Sequence, residues 1–186
     1  MSRGDFDMGL KYAFSAYNKE LMARAVGRDL SISKKQSVEI CKWIRYKSTS
    51  RAKRILEDAI KMERAIPYTR FNWNVGHRPG MGPGRYPIKA STEILALIKS
   101  AEANAQLKGL NTGNLHIVHI NAQKAPTPHH YGRQRGTKMK RTHIEVVLQE
   151  RAEKKTEEKA KKTRAQKEEK QKEEKQTKEA KESKKE

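Results

Sequence analysis

Apolar side chains recur at intervals of three and four residues in three segments of the chain, which is the spacing of amphipathic helices. The first segment follows a Ser-x-x-Gln capping signal and predicts a helix over about 34–47. The second begins at the Ser-Thr-Ser of 48–50 and ends at Pro67. The third opens after Pro87, and Gly109 is suited to end it in the left-handed conformation. Three such helices must bury their apolar stripes against another element.

Two later segments carry the patterns of β-strands. Residues 115–120 are rich in β-branched side chains, and residues 144–148 alternate between apolar and polar positions. Residues 12–17 could add a third strand near the start of the chain. These patterns predict an α+β fold in which three helices pack on one face of a small antiparallel sheet of about three strands. The two later strands would form a long, protruding β-hairpin over about 115–149.

The end of the chain has no apolar face to bury. Residues 151–186 contain only Lys, Arg, Glu, Gln, Thr and Ser beside four alanines. Such a segment is predicted to be disordered or to form a single charged helix. The expected organisation is therefore a folded domain over 1–150 followed by a Lys/Glu-rich, charged C-terminal tail.

The chain is strongly basic, with 42 Lys and Arg against 22 Asp and Glu and a net charge of +20. Residues 1–150 hold 27 basic and 12 acidic side chains (+15), and residues 151–186 hold 15 and 10 (+5). A polyanion is therefore the expected partner. No run approaches the roughly 20 apolar residues that cross a bilayer, so no membrane insertion is expected. The polar start lacks a signal peptide and the lone Cys41 allows no internal disulfide, which favours a cytoplasmic location.

The middle of the predicted hairpin is basic and free of acids. No Asp or Glu occurs from 103 to 144, whereas the apolar alternation is confined to 115–122 and 142–148. The intervening arm, 124–141, has no face to pack on its own domain, and as a two-stranded ribbon it would be marginally stable in water. Folded RNA would order it through phosphate pairing and base stacking. The alternative is a disordered basic loop without a special role. The candidate RNA-binding residues of the arm are Lys124, His129, His130, Tyr131, Arg133, Arg135, Lys138, Lys140 and Arg141.

A second acid-free run extends from Arg64 to Thr92 and interleaves cations with aromatic residues. Guanidinium groups pair with phosphates and aromatic rings stack on exposed bases. The Gly- and Pro-rich part, 75–85, is predicted to be a loop shaped to a nucleic-acid surface rather than a helix or a central strand. The alternative is that Phe71 or Trp73 merely caps the core. The candidate RNA-binding residues here are Arg70, Trp73, His77, Arg78, Arg85 and Lys89.

No constellation for catalysis or for a metal or cofactor is visible. The Gly-rich run 80–84 lacks the Gly-Lys-Ser/Thr of a phosphate-binding loop. His116 and His119, three apart on a strand, are predicted to point to opposite faces and so not to share a metal. Cys41 falls on the apolar stripe of its helix, where a buried, inert thiol is expected. The chain is therefore predicted not to be an enzyme, and a nucleic-acid enzyme would need a carboxylate pair that is not seen.

Three motifs in this order carry a family resemblance: Trp-Asn-Val-Gly-His-Arg at 73–78, Gly-Arg-Tyr-Pro at 84–87, and Ala-Asn-Ala at 103–105 before the hairpin. The chain resembles, over about 10–150, the universal large-subunit ribosomal protein family numbered twenty-two in bacteria and seventeen in eukaryotes. The Gly-His-Arg and Gly-Arg-Tyr-Pro motifs fit the archaeal and eukaryotic branch. The Lys/Glu tail has no counterpart in the shared domain.

The resemblance implies a structural constituent of the large ribosomal subunit that binds large-subunit rRNA, supports its assembly and adjoins neighbouring large-subunit ribosomal proteins. It also implies that the hairpin lines the nascent-peptide exit tunnel and meets the nascent polypeptide there. The alternative from composition is a non-ribosomal DNA- or RNA-binding regulatory module. The hairpin tip would comprise His129, His130, Tyr131, Gly132, Arg133, Gln134 and Arg135.

Overall fold

The computed structural model describes residues 12–151, so that the predicted tail lies outside the described residues except for Arg151. Three helices and six strands lie within this range. Their bounds are β1 Met22–Leu30, α1 Lys34–Ile44, α2 Thr49–Ile60, β2 Ile66–Pro67, β3 His77–Arg78, β4 Gly82–Arg85, α3 Ile88–Leu107, β5 Leu115–Lys124 and β6 Thr142–Glu150.

Strands β1, β6 and β5 form one antiparallel sheet with β6 in the middle. On β6, Val146 pairs with Ala25 of β1 and with Ile120 of β5. Helix α3 packs on β1 and β6, α1 packs on β5, and α2 packs on α3. The predicted α+β class, with three helices on a small antiparallel sheet, is confirmed. The apolar sides of these elements share one core, whose fully buried side chains include Ile40, Ile44, Leu56, Ile94, Ile98, Leu115, Ile117, Ile120, Ile144 and Leu148.

The third strand of this sheet is β1, and the prediction that residues 12–17 supply it was wrong. The buried positions on β1 include Ala23 and Ala25. Alanine gives a weak apolar signal and is depleted in strands, so the alternation of this strand is hard to see in the sequence. The small side chains suit the close packing of α3 on β1.

The segment 12–17 instead contacts side chains of the sheet. The backbone N–H of Ala13 donates to a carboxylate oxygen of Glu145 at 2.9 Å, and the Phe14 ring lies 5.3 Å from the ring of His119. Glu145 is buried on β6, and its other carboxylate oxygen lies 2.8 Å from His119 Nε2. A buried carboxylate therefore joins this segment to β5 and β6.

Helix α1 ends at Ile44, earlier than the predicted residue 47. Tyr46 takes a left-handed conformation (φ +63°), and its N–H donates to the Ile117 carbonyl at 2.9 Å. The Ile117 N–H in turn donates to the Lys47 carbonyl at 3.0 Å. The chain leaves the helix here because the backbone of the link to α2 forms hydrogen bonds with β5.

The other helix boundaries are only partly as predicted. Helix α2 ends at Ile60 and Ile66 belongs to β2, so the predicted extension of that helix to Pro67 was wrong. The start of α3 after Pro87 is confirmed, and so is the left-handed Gly109 (φ +75°) that follows its end. Ser33 and Ser48 occupy the N-cap positions of α1 and α2, but neither side chain makes the expected capping hydrogen bond.

The Gly- and Pro-rich segment forms a second, smaller antiparallel sheet in the order β2–β4–β3. The prediction that it contains no central strand was wrong, since β4 lies in the middle. Each pairing is only two residues long, and Pro83 contributes its carbonyl, which accepts from the Tyr68 N–H at 2.9 Å. Gly84 is buried here, and a Cβ on it would lie 3.2 Å from the Ala65 Cβ. A side chain at this position would fit tightly, and the neighbouring side chains would have to shift by a few tenths of an ångström.

Within residues 12–151, no helix is both long enough and apolar enough to cross a membrane.

Candidate nucleic-acid interface

A groove of about 680 Å³ lies beside the first turn of α1 and brings the two predicted basic surfaces together. Arg70 and Trp73 come from the loop after β2, Arg85 from β4, and Lys140 from the arm. No carboxylate is found among the described residues that line it. The described residues that line it are Ser33, Lys35, Gln36, Tyr68, Arg70, Phe71, Trp73, Arg85 and Lys140.

A buried carboxylate organises the loop that carries Arg70 and Trp73. Glu39 lies on α1 and is 1% exposed. Its oxygens accept hydrogen bonds from the backbone N–H groups of Thr69 (3.0 Å), Arg70 (3.0 Å) and Phe71 (3.1 Å), and from the Thr69 hydroxyl (3.2 Å). Four donors on one carboxylate fix the backbone of this loop against α1, so the side chains that line the groove leave it in defined directions.

These contacts also set the ionisation of Glu39. Burial by itself raises the pKa of the carboxyl, but the hydrogen bonds from the backbone of Thr69, Arg70 and Phe71 lower it, and the net pKa lies below its ordinary value. Glu39 is therefore charged in the folded protein at neutral pH. The sequence analysis missed this residue, which lies off the apolar stripe of α1 and carries no local signal of its burial.

The aromatic side chains of the groove divide into two kinds. Trp73 is 86% exposed, so the alternative that it caps the core was wrong. Phe71 is half-buried, and its ring lies 5.7 Å from the Lys35 ammonium and 5.6 Å from the Arg70 guanidinium. Phe71 thus helps to hold two cations at the groove. Trp73 presents its rings to solvent, where a base can stack on it.

Tyr68 lies at the buried side of the groove, and its hydroxyl makes no hydrogen bond with the described residues. Burial raises the pKa of this phenol to about 12, while the nearby Arg85 acts in the opposite direction. The hydroxyl is therefore protonated at neutral pH. A buried donor without a partner is rare in folded proteins, and here it lies in the groove beside the cations.

The remaining predicted residues of the second acid-free run are exposed but lie outside the lining of this groove. His77 and Arg78 are on β3, and the Arg78 guanidinium lies 5.2 Å from the Tyr86 ring. Lys89 is in the first turn of α3. The Arg85 guanidinium donates to the Asn74 carbonyl at 3.3 Å, which ties the groove to the loop before β3.

The arm is not the regular ribbon that was predicted. Regular pairing between β5 and β6 ends at Lys124 and Thr142, and an isolated bridge joins His129 to Lys138 farther along. The arm's backbone hydrogen bonds run between its own two sides, such as Met139 N–H to the Pro128 carbonyl at 2.8 Å. Its two chains therefore pair irregularly with each other.

A short 3₁₀ turn, Gly132–Gln134, lies at the predicted tip, with Gly132 in the left-handed region (φ +64°). His129 Nδ1 donates to the Arg135 carbonyl at 2.9 Å and closes this turn. Tyr131 is 88% exposed. Of the candidate residues in the arm, His130 and Arg141 are half-buried and the others are exposed, namely Lys124, His129, Tyr131, Arg133, Arg135, Lys138 and Lys140.

In the part of the chain that the structure describes, the side chains form no metal site and no reactive thiol. The prediction that His116 and His119 point to opposite faces was wrong, because a bulge between Ile117 and His119 changes the alternation. Both histidines now lie opposite the buried Ile117 and Ile120. No group of three or more potential metal ligands occurs among residues 12–151. Cys41 is buried as expected, and desolvation raises the pKa of its thiol to about 12.

The fold and the groove define a class: a small, basic α+β protein whose described surface is suited to a polyanion. A family model described as Ribosomal protein L22p/L17e matches residues 25–149, and the chain belongs to this family. Members of this family are structural proteins rather than enzymes. The resemblance seen in the sequence is thereby confirmed.

Similar proteins are named "Large ribosomal subunit protein uL22". The chain is 42% identical to that of Methanocaldococcus jannaschii over 149 residues, covering 76% of this chain and 95% of the relative. It is 43% identical to that of Methanopyrus kandleri over 141 residues (71% and 89%) and 40% identical to that of Methanosphaera stadtmanae over 147 residues (75% and 96%). These relatives are archaeal, in agreement with the branch indicated by the motifs.

Proposed function

We propose that the chain is a structural constituent of the large subunit of the cytoplasmic ribosome and binds large-subunit rRNA through the groove beside α1 and through the arm. The observation that carries this proposal is the groove, which cations from α1, the loop after β2, β4 and the arm line together with the exposed Trp73, and whose described lining holds no carboxylate. The names of the similar proteins support assembly into the large subunit.

The composition of the groove favours folded RNA over a featureless polyanion. Arginine forms paired hydrogen bonds with phosphate oxygens, whereas Trp73 adds a stacking surface for an unpaired base. Exposed bases are common in the loops and bulges of folded RNA and rare in duplex DNA. Glu39 supports this function indirectly, since it fixes the loop before any ligand arrives.

For the arm, the proposal is that its tip lines the nascent-peptide exit tunnel, where neighbouring large-subunit proteins and the nascent polypeptide are its further partners. The exposed cations of the arm support RNA contact, because they have no acidic partner within 103–144. The short 3₁₀ turn at 132–134 closes the arm within a few residues, which supports a tip with little bulk.

Sedimentation through a high-salt sucrose gradient tests the proposed function. The full chain should migrate with large-subunit particles and stay with them at salt concentrations that strip loosely bound proteins. Migration at the top of the gradient under these conditions would favour a DNA- or RNA-binding regulator that is not part of the ribosome.

The double variant Arg133→Ala/Arg135→Ala tests the role of the tip. Both side chains are exposed and the backbone turn does not depend on them, so the thermal unfolding temperature of the free protein should stay unchanged. Incorporation into large subunits should weaken, or elongation that depends on the tunnel should change. A Lys61→Ala/Lys99→Ala double variant, which removes two exposed charges from the helical side, is the matched control. Normal assembly and elongation in the tip variant would contradict the tip assignment.

A further inference from the structure

A second basic groove, of about 860 Å³, lies at the opposite end of α1. Lys47 follows α1, Arg51 and Arg54 lie on α2, and Arg64 lies in the link to β2. Asp58 is the only acidic side chain among the described residues that line this groove. The first groove includes Lys35 and the second includes Trp43, eight residues along α1, which corresponds to about 12 Å of helix. The two grooves are thus separate surfaces.

No carboxylate among the described residues forms an ion pair with a cation of this second groove. Within residues 12–151, the ion pairs are Lys53 with Glu102, His119 with Glu145, and His143 with Asp29, so none includes a cation of this groove. Burial lowers the pKa of Lys47, and the neighbouring Arg51 lowers it further by repulsion. Like charges held this close destabilise each other, and an anion bound between them would relieve the repulsion.

The aromatic side chain of this groove is not available for stacking. Trp43 is half-buried, and the Lys47 ammonium lies 4.5 Å from its ring centre while donating to the Trp43 carbonyl. This differs from the first groove, where Trp73 is open to solvent. A ligand of the second groove would therefore meet charge and hydrogen-bond donors without a stacking platform.

We propose that the second groove binds the sugar-phosphate backbone of folded RNA, at a place separate from the first groove and without reading bases. This inference rests on the proposed function. Arg51 and Arg54 are three residues apart on α2 and therefore lie on the same side of the helix. Their guanidinium groups are exposed and can each pair with phosphate oxygens. Four cations against one carboxylate favour a polyphosphate backbone as the occupant.

The test is the salt dependence of binding between the full chain and a transcript of large-subunit rRNA, measured by filter binding. Each phosphate contact adds about one to the slope of log affinity against log salt, so Arg51→Ala/Arg54→Ala should reduce the slope by about two. The affinity at moderate salt should fall about tenfold. Arg51→Lys/Arg54→Lys keeps the charge and should keep most of the slope. The control Lys61→Ala/Lys99→Ala should bind with a nearly unchanged slope, because both side chains are exposed and neither lines the second groove.

The outcomes separate this inference from the proposed function. If the unaltered chain binds with a steep slope and Arg51→Ala/Arg54→Ala matches the Lys61/Lys99 control, the second groove is not a phosphate site. If the arginine variant binds RNA normally but fails to join large-subunit particles, the groove meets an acidic protein, which also overturns the inference. If the unaltered chain shows a flat salt profile, the proposed rRNA binding itself fails. Urea unfolding of each variant shows whether it is folded. If the alanine variant is not, Arg51→Gln/Arg54→Gln removes the same two charges while keeping long polar side chains, and it should lose the same slope.

Discussion

Replacing Glu39 with Gln should lower the free energy of unfolding by about 2–3 kcal/mol at pH 7, because the amide offers one oxygen where the carboxylate offers two. The N–H groups of Thr69, Arg70 and Phe71 all point at this side chain, so the amide NH₂ must face at least one of these donors. A buried donor left without an acceptor costs about 1–3 kcal/mol, and more where a charge was involved. The measurement is the midpoint of urea unfolding. Glu57→Gln, at an exposed position on α2, is the control and should change the free energy of unfolding by less than about 0.5 kcal/mol.

The pH dependence of this difference follows from the lowered pKa of Glu39. A carboxyl whose pKa is lower in the folded state contributes stability above its unfolded pKa of about 4.3, and this contribution is lost as the pH falls through the folded value. The difference in the free energy of unfolding between the unaltered chain and Glu39→Gln should therefore be largest at pH 7 and become smaller below about pH 4.3. A gap that stays constant down to pH 3 would show that the charge of Glu39 does not stabilise the fold.

The second large effect is expected at Trp73. Trp73→Ala should weaken binding to large-subunit rRNA by roughly 5- to 150-fold, since stacking on one base contributes about 1–3 kcal/mol. The thermal stability should not change, because the side chain is 86% exposed. Trp73→Tyr keeps a stacking surface and should recover most of the affinity. Leu107→Ala removes an equally exposed apolar side chain, 87% exposed on α3, and should have no effect.

The salt dependence of RNA binding distinguishes base stacking on Trp73 from phosphate contacts made by Arg70 in the same groove. Trp73 is neutral, so Trp73→Ala should leave the slope of log affinity against log salt as it is in the unaltered chain. Arg70→Ala should reduce that slope by about one. Equal slopes in all three proteins would mean that Arg70 meets no phosphate, and an unaffected affinity in Trp73→Ala would mean that no base stacks on it.

Local signals in the sequence were sufficient for much of the fold. The start of α3 after Pro87 and the left-handed Gly109 depend on a few neighbouring residues, and both were predicted correctly. Strand β1 was missed because two of its buried positions are alanines, which carry little periodic signal. Strand β4 was missed because its Gly and Pro content argues against a strand, whereas pairings of only two residues tolerate both.

The groove could be predicted only in part, for a different reason. Arg70, Arg85, Lys140 and Trp73 were identified from charge and composition, which are local properties, whereas Lys35 was not among the candidates. Glu39 was missed because its partners lie about thirty residues away, in a loop that turns back to α1. Lys140 and Arg70 are likewise far apart in the sequence, yet both line the same groove. Sequence patterns indicate which residues are available, whereas the tertiary fold decides which of them share one surface.

Site-specific photocrosslinking within intact large subunits tests the central proposal most directly. A photoreactive phenylalanine analogue would replace Trp73 in one chain and the equally exposed Leu107 in another, and the crosslinked partner would be identified. The account predicts crosslinks from position 73 to nucleotides of large-subunit rRNA, and none to the same nucleotides from position 107. Particles that contain the protein but give no RNA crosslink at position 73 would contradict the assignment of this groove to rRNA.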